Sequence, residues 1–197
     1  MEQPFRKDLS HTTWDKVYAR QSLRAELVPA WMDALDLKAG SRVLDVGCGP
    51  GFVSFLLADR VGPEGIVYAI DRSADALAYL ERQQEERGIS QIRRLVADAA
   101  ALDGRDLHAD CALISMVLHH TDDPAAILRS LHRLLAPGAL IVVAEFDPSG
   151  PCEHGPPCEV RLAPAQIEAW CKEAGFHVRE TRHQSPEHYM IVAERPA

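Results

Sequence analysis

Nine residues at positions 43–51, Val-Leu-Asp-Val-Gly-Cys-Gly-Pro-Gly, limit the fold more than any other stretch of this chain. Residues 42–46 read as a buried strand, and Phe52, Val53, Leu56 and Leu57 beyond the glycines have helical spacing. A strand that ends in a glycine turn and opens a helix lets a ligand approach bare backbone. In an open parallel sheet such ligands sit beyond the carboxyl ends of the strands, where the strand order reverses. The competing reading of the turn alone is a tight strand-to-helix connection that meets no ligand.

The rest of the chain supplies the sheet that this reading needs. Short apolar runs at 66–70, 91–96, 111–114 and 139–145 alternate with helical patterns, as in a parallel sheet covered on both faces. Ser73 and Gly88 bracket one helix, and Asp123 with Pro124 opens another whose inner face carries Ile127, Leu128, Leu131, Leu134 and Leu135. Residues 147–163 are rich in proline and read as a long loop. Pro164 then starts a last helix with Ile167, Trp170, Cys171 and Ala174 inward. Two closing strands, near 176–180 and 189–193, have no helix between them and so pair antiparallel. The predicted fold is α/β: a Rossmann-like, doubly wound, seven-stranded, mostly parallel sheet with the last strand antiparallel. Ahead of it, Thr12-x-x-Asp15 resembles a helix-capping pattern, and Leu23, Leu27, Val28, Trp31, Met32 and Leu35 share one helical face. The expected division is a helical lid at 1–37 and a cofactor-binding domain at 38–197.

A chain of 197 residues holds one sizeable domain. Its net charge of -8 disfavours nucleic acid as a partner. No apolar run is long enough to span a bilayer, and residues 1–18 lack the apolar core of a signal peptide, so a cytoplasmic protein is expected. Five cysteines without regular spacing fit a reducing compartment better than a disulfide framework.

Asp71 ends the second strand about two dozen residues after the turn, close to the spacing at which a carboxylate reaches the ribose hydroxyls of a bound nucleoside. The alternative is a helix-capping or solvent-facing aspartate. As a strand-end carboxylate it is expected to serve the ligand more than the fold. A dinucleotide fingerprint needs a small third residue where this chain has Phe52, and no Lys-Ser or Lys-Thr follows the glycines as in a P-loop. A nucleoside cofactor without a pyrophosphate remains.

With these residues in view, VLDVGCGPG resembles motif I of the class I S-adenosylmethionine-dependent methyltransferases. YAIDRS at 68–73 resembles their second motif and LVADAAAL at 95–102 their third. LISMVLHHTDDP at 113–124, followed by LRSLHRLLAPGALIVVAEF, is similar to the small-molecule "type 11" branch that includes quinone-biosynthesis methyltransferases. The resemblance runs over residues 42–146 and departs at Ala139, where a second glycine is frequent. It implies S-adenosyl-L-methionine as cofactor, bound by Asp45, Gly47, Cys48, Gly49, Asp71, Arg72, Asp98, Ala99 and Ser115, with Tyr18 and Trp14 on the helix that folds over it. It further implies that amides of the 47–49 turn hold the methionine carboxylate and that Asp45 accepts from the amino group. His119 and His120 are the catalytic candidates, as general base or substrate contact, against a reading in which one packs and the other faces solvent. No metal is implied. The expected partner is a small-molecule methyl acceptor, and self-association as a homodimer is left open.

Cys152-x-His154-x-x-x-Cys158, with Glu153 and Glu159, offers too few ligands for a confident zinc site and is favoured as a substrate loop with reduced thiols. Arg161 reads as an exposed arginine or a contact for an anionic substrate, and Cys111 and Cys171 as core. Three rivals accompany the methyltransferase reading: a catalytically silent cofactor-binding protein, a metalloid or thiol methyltransferase using Cys152 and Cys158, and a nicotinamide oxidoreductase, which Phe52 opposes.

Overall fold

The structure, a computed structural model, describes residues 12–102 and 107–197. Residues 1–11 of the expected lid lie outside them. Seven strands form one sheet: β1 (Arg42–Val46), β2 (Ile66–Asp71), β3 (Ile92–Val96), β4 (Cys111–Ser115), β5 (Leu140–Phe146), β6 (His177–Ser185) and β7 (His188–Glu194). Their order is β3-β2-β1-β4-β5-β7-β6. The first five are parallel, whereas β7 runs antiparallel to both β5 and β6. The predicted sheet is present, reversal of strand order included.

Alternation of side chains across the pleat sends Val43 to one face and Leu44 and Val46 to the other, and all three are fully buried. Both faces are covered, which is why the strands read as continuous apolar runs. Helices α2 (Val28–Ala34), α3 (Phe52–Val61) and α4 (Ala74–Arg87) pack on one side. On the other lie α5 (Pro124–Leu134) and α6 (Pro164–Glu173). Local signals set the ends: the Ser73 hydroxyl accepts from the Ala76 amide at 3.2 Å, and the Asp123 carboxylate accepts from the Ala126 amide at 2.9 Å ahead of Pro124.

Two expectations change. The N-terminal pattern is not one helix: α1 (Trp14–Ser22) ends, a 3-10 turn covers Ala25–Leu27, and α2 restarts with Pro29 in its first turn. Proline fits there because the first-turn amides have no helical acceptor. The break takes Leu23 out of the apolar face and leaves it 75% exposed. Thr13 occupies the capping position of α1 without a side-chain cap, so the Thr12 capping pattern is not realised. At the other end, β6 runs to Ser185, well past residue 180. It is an edge strand of mostly exposed polar and charged residues, and such a strand carries little apolar alternation to read. Among the described residues no helix is long and apolar enough to cross a membrane.

Candidate active-site cavity

Between β1 and β4 the strand order reverses, and a cavity of about 800 Å³ lies at the carboxyl ends of these strands. One half is lined by Gly47, Gly49, Asp71, Arg72, Asp98 and Ala99. The other is lined by Ser115, Met116, Val117, His119, His120, Phe146 and residues 155–157, and Trp14, Val17, Arg20, Gln21 and Arg24 of the N-terminal segment also border the space.

The glycine turn gives the cavity shape rather than free donors. Gly47 and Gly49 have φ of +69° and +54°, and a Cβ on Gly47 would come within 2.4 Å of the Val117 side chain. The Gly47 and Cys48 amides both donate to the Ile70 carbonyl, at 2.7 and 3.0 Å, and the Gly49 amide donates to Asp71 Oδ2 at 2.8 Å. All three amides thus have protein acceptors, which removes the basis for assigning them to a ligand carboxylate. Asp71 also accepts from the Ser73 amide at 2.8 Å, so it holds the turn together as well as facing the cavity. Burial raises its carboxyl from the ordinary value, opposed by the Ser73 and Gly49 amides and by Arg72. Two oxygens with about four lone-pair sites keep acceptor capacity beyond those two amides. Asp98 lines the same half and caps a 3-10 turn (Ala99–Ala101) by accepting from the Ala100 amide at 2.9 Å.

Three sequence candidates do not line the cavity. Asp45 is 1% exposed and accepts from the Ser54 hydroxyl at 2.5 Å, and burial pushes its carboxyl up to about 7. Cys48 is buried beneath the turn, and its thiol is raised well above the ordinary value, chiefly by burial. Tyr18 packs edge-on against Phe52, with ring centroids 5.4 Å apart, and accepts from Arg87 at 2.9 Å. Gln21, one helical turn on, does border the cavity. Its Nε2 donates to the Cys48 carbonyl at 3.1 Å and its Oε1 accepts from the Phe52 amide at 3.2 Å, tying α1 to the glycine turn.

In the other half, Nδ1 of His119 lies 2.6 Å from Oε2 of Glu145 on β5, with both side chains almost fully buried. Glu145 Oε1 accepts from the Leu118 amide at 2.7 Å. Burial works against the Glu145 charge, but His119 and the Leu118 amide outweigh it and hold the carboxyl below its ordinary range. An ionised carboxylate only accepts, so Nδ1 carries the proton in this pair and Nε2 is the other ring nitrogen. The His120 ring lies 4.2 Å from that of His119. Just before this pair, Met116 has φ of +57°, a left-handed conformation that a side chain of this size seldom adopts.

Arg24 was not legible as a site residue. Its guanidinium lies 5.5 Å from the centroid of the Phe146 ring, and burial lowers its pKa to about 10, with Glu145 opposing. Among the described residues none makes a hydrogen bond or ion pair with it. Arg161, by contrast, is buried and fully engaged: it pairs with Glu187 at 2.5 Å and donates to the carbonyls of Asp147, His154 and Pro156. It is therefore neither exposed nor free for a substrate. Cys152 and Cys158 form a disulfide with Cα atoms 5.8 Å apart, which corrects the expectation of reduced thiols there. Cys48, Cys111 and Cys171 are free and buried.

The family model described as a methyltransferase domain matches residues 37–194. The chain belongs to the S-adenosylmethionine-dependent methyltransferases. It is 32% identical to a demethylmenaquinone methyltransferase of Geobacillus kaustophilus, over 58% of this chain and 49% of that protein. A match at 37% identity to an uncharacterized 37.1 kDa protein in transposon TN4556 of Streptomyces fradiae covers 59% of this chain and 33% of the other. The chain thus spans a third to a half of these two relatives. A ubiquinone biosynthesis O-methyltransferase of Pseudomonas aeruginosa is 25% identical, with 93% of this chain and 88% of that one covered. A solved S-adenosylmethionine-dependent methyltransferase from Aquifex aeolicus superposes with a TM-score of 0.84 at 24% identity, covering 93% of this chain and 99% of that one. Phosphoethanolamine N-methyltransferase 2 of Haemonchus contortus, solved with S-adenosyl-L-methionine, gives 0.79 at 15% identity over 96% of this chain and 59% of that one. The cofactor of the family is S-adenosylmethionine. The residues at the cavity fit it: acids at the strand ends for a ribose and a base, a bare glycine turn, and, for a carboxylate, the Arg24 guanidinium, which has no hydrogen-bond or ion-pair partner among the described residues.

Proposed function

We propose that this chain transfers the methyl group of S-adenosylmethionine to a small-molecule acceptor that carries a dissociable proton. One observation carries this reading: the Glu145-oriented imidazole of His119 lines the same cavity as the glycine turn and Asp71. Bound there, the cofactor supplies a methyl carbon activated by a sulfonium cation. In this reading Asp71 accepts from the ribose hydroxyls and Asp98, with Ala99, reads adenine; Arg72 and Ser115 border the same guest. Because the turn amides are committed to Ile70 and Asp71, Arg24 takes the methionine carboxylate. Asp45 and Cys48 act from behind the turn, by shaping it. Of the expected lid, the described residues 12–37 cover the cavity and are held down by Gln21, with Tyr18 packed on the turn's far side.

His119 Nε2 takes the acceptor's proton while Glu145 holds the ring and stabilises its protonated form, a contribution of about 10²–10⁴ in rate for such a base. Alignment of acceptor against methyl contributes more, up to about 7–11 kcal/mol in the best intramolecular comparisons. His120 stands beside it as a substrate contact. A silent binding protein has no use for a buried, charge-oriented imidazole in its binding cavity, so the enzyme reading is preferred. A cytoplasmic setting belongs to the same proposal. The test is turnover: the full chain is incubated with S-adenosylmethionine and a panel of small phenols, alcohols, amines and thiols, and S-adenosylhomocysteine is quantified by mass spectrometry. Formation above the acceptor-free rate supports the reading. Cofactor binding with no conversion across the panel favours the silent alternative.

A further inference from the structure

The cysteines of this chain divide by environment. Burial raises Cys111 and Cys171 to about 12 and lifts Cys48 well above its ordinary value, so these thiols stay protonated and inert. Cys152 and Cys158 are only half-buried, six residues apart, and joined to each other. Between them lie Gly155, Pro156 and Pro157, which line the cavity beside Phe146. Gly155 has φ of +83°, and a Cβ there would come within 2.3 Å of the Phe146 ring, so this backbone rests directly on the ring. Arg161 holds the middle of the loop through the His154 and Pro156 carbonyls, and Glu187 accepts from the Glu153 amide at 3.0 Å. Residues 151–157 form neither helix nor strand.

We propose that the Cys152–Cys158 disulfide is a reversible latch on the acceptor-side wall of the cavity. With the bond formed, Gly155 is held on Phe146 and that end is narrow. With the bond reduced, the segment regains chain freedom that the cross-link removes, and the wall loosens. The glycine turn and Asp71 sit on other elements and keep their geometry, so the latch acts on the acceptor wall while the nucleoside half of the cofactor keeps its contacts. Opening is exchange with a dithiol. A dithiol thiolate attacks one cysteine sulfur and breaks the Cys152–Cys158 bond, and its second sulfur then attacks the first, expelling the cysteine thiolate from the mixed disulfide. Two electrons and two protons pass to the cysteines, and the reductant leaves as its own disulfide.

What the loop encloses rests on the methyl-transfer reading; that the disulfide holds it does not. The experiment is hydrogen-exchange mass spectrometry on the full chain, with and without S-adenosylhomocysteine, before and after dithiothreitol. The double variant Cys152→Ser, Cys158→Ser runs in parallel. Reduction is expected to speed amide exchange across 150–162 by about tenfold or more, and the variant should start fast and ignore dithiothreitol. Anilinonaphthalenesulfonate, added to the S-adenosylhomocysteine-loaded chain, should brighten about threefold on reduction as the apolar wall opens. Adenosine affinity, by calorimetry, should stay within about twofold. Equal exchange in both redox states, a double variant that still responds to dithiothreitol, or an oxidised chain whose intact mass shows both thiols free overturns the latch. Unchanged dye signal overturns its placement at the acceptor wall. Failure of S-adenosylhomocysteine to bind any form indicts the methyl-transfer reading instead, and exchange on the unliganded chain still decides the latch.

Discussion

Nδ1 of His119 and Oε2 of Glu145 are 2.6 Å apart in an almost fully buried pair, although 26 positions separate them in the chain. Parallel pairing of β4 with β5 brings them together. If Glu145 positions the imidazole, Glu145→Gln should lower kcat by about 10²–10⁴, the range of general-base contributions, with KM for the cofactor little changed. His119→Asn should fall as far, and the double variant no further, because the two act as a unit. The readout is S-adenosylhomocysteine production with the acceptor that wild type turns over. Independent, additive losses contradict the pairing.

Arg24 gives a second expectation. Replacing a guanidinium that meets a carboxylate removes a charged hydrogen bond of about 1.5–3 kcal/mol. Arg24→Gln should therefore weaken S-adenosylhomocysteine binding about 10- to 100-fold while leaving adenosine, which lacks the carboxylate, unaffected. Calorimetry with both ligands decides it. Equal losses for the two assign Arg24 a structural role.

Asp71 serves fold and cavity together. Asp71→Ala deprives the Gly49 and Ser73 amides of their acceptor, so a stability loss of about 1–3 kcal/mol is expected beside weaker cofactor binding. Thermal melts and calorimetry on the same sample separate the two. Full affinity in a destabilised variant contradicts the ribose assignment.

Asp45 sets a pH dependence of stability. Its folded pKa of about 7 stands above the unfolded value of about 3.9, so between these the folded state binds more protons. The contribution is complete below about pH 4 and lost as pH rises through about 7, on the order of a few kcal/mol. Asp45→Asn keeps an oxygen for Ser54 and cannot ionise. Its stability relative to wild type should increase across that window in urea titrations, and a constant difference contradicts the shift.

The parallel sheet, its reversal point and the glycine turn were legible because buried strands, helix caps and positive-φ glycines each leave a local mark in sequence. Asp71, Asp98, Ser115 and His119 were found through motifs at strand ends, where the fold converges on the cavity. Glu145 and Phe146 were not, since the end of an apolar strand reads as core whatever it faces. Gln21 and Arg24 look like solvent residues on a helix, and only the break after Ser22 brings this segment over the turn. The Cys152–Cys158 pairing was missed because cysteine count and spacing carry no distance information across a proline-rich loop. Edge strand β6 was cut short for want of an apolar face.

A crystal structure of the full chain with S-adenosylhomocysteine is the most direct measurement. Ribose hydroxyls are expected on Asp71, the amino-acid carboxylate on Arg24, and the sulfur directed into the half of the cavity that holds His119. Nucleoside density anywhere else, or a cavity closed by its own side chains with the ligand excluded, would contradict this placement.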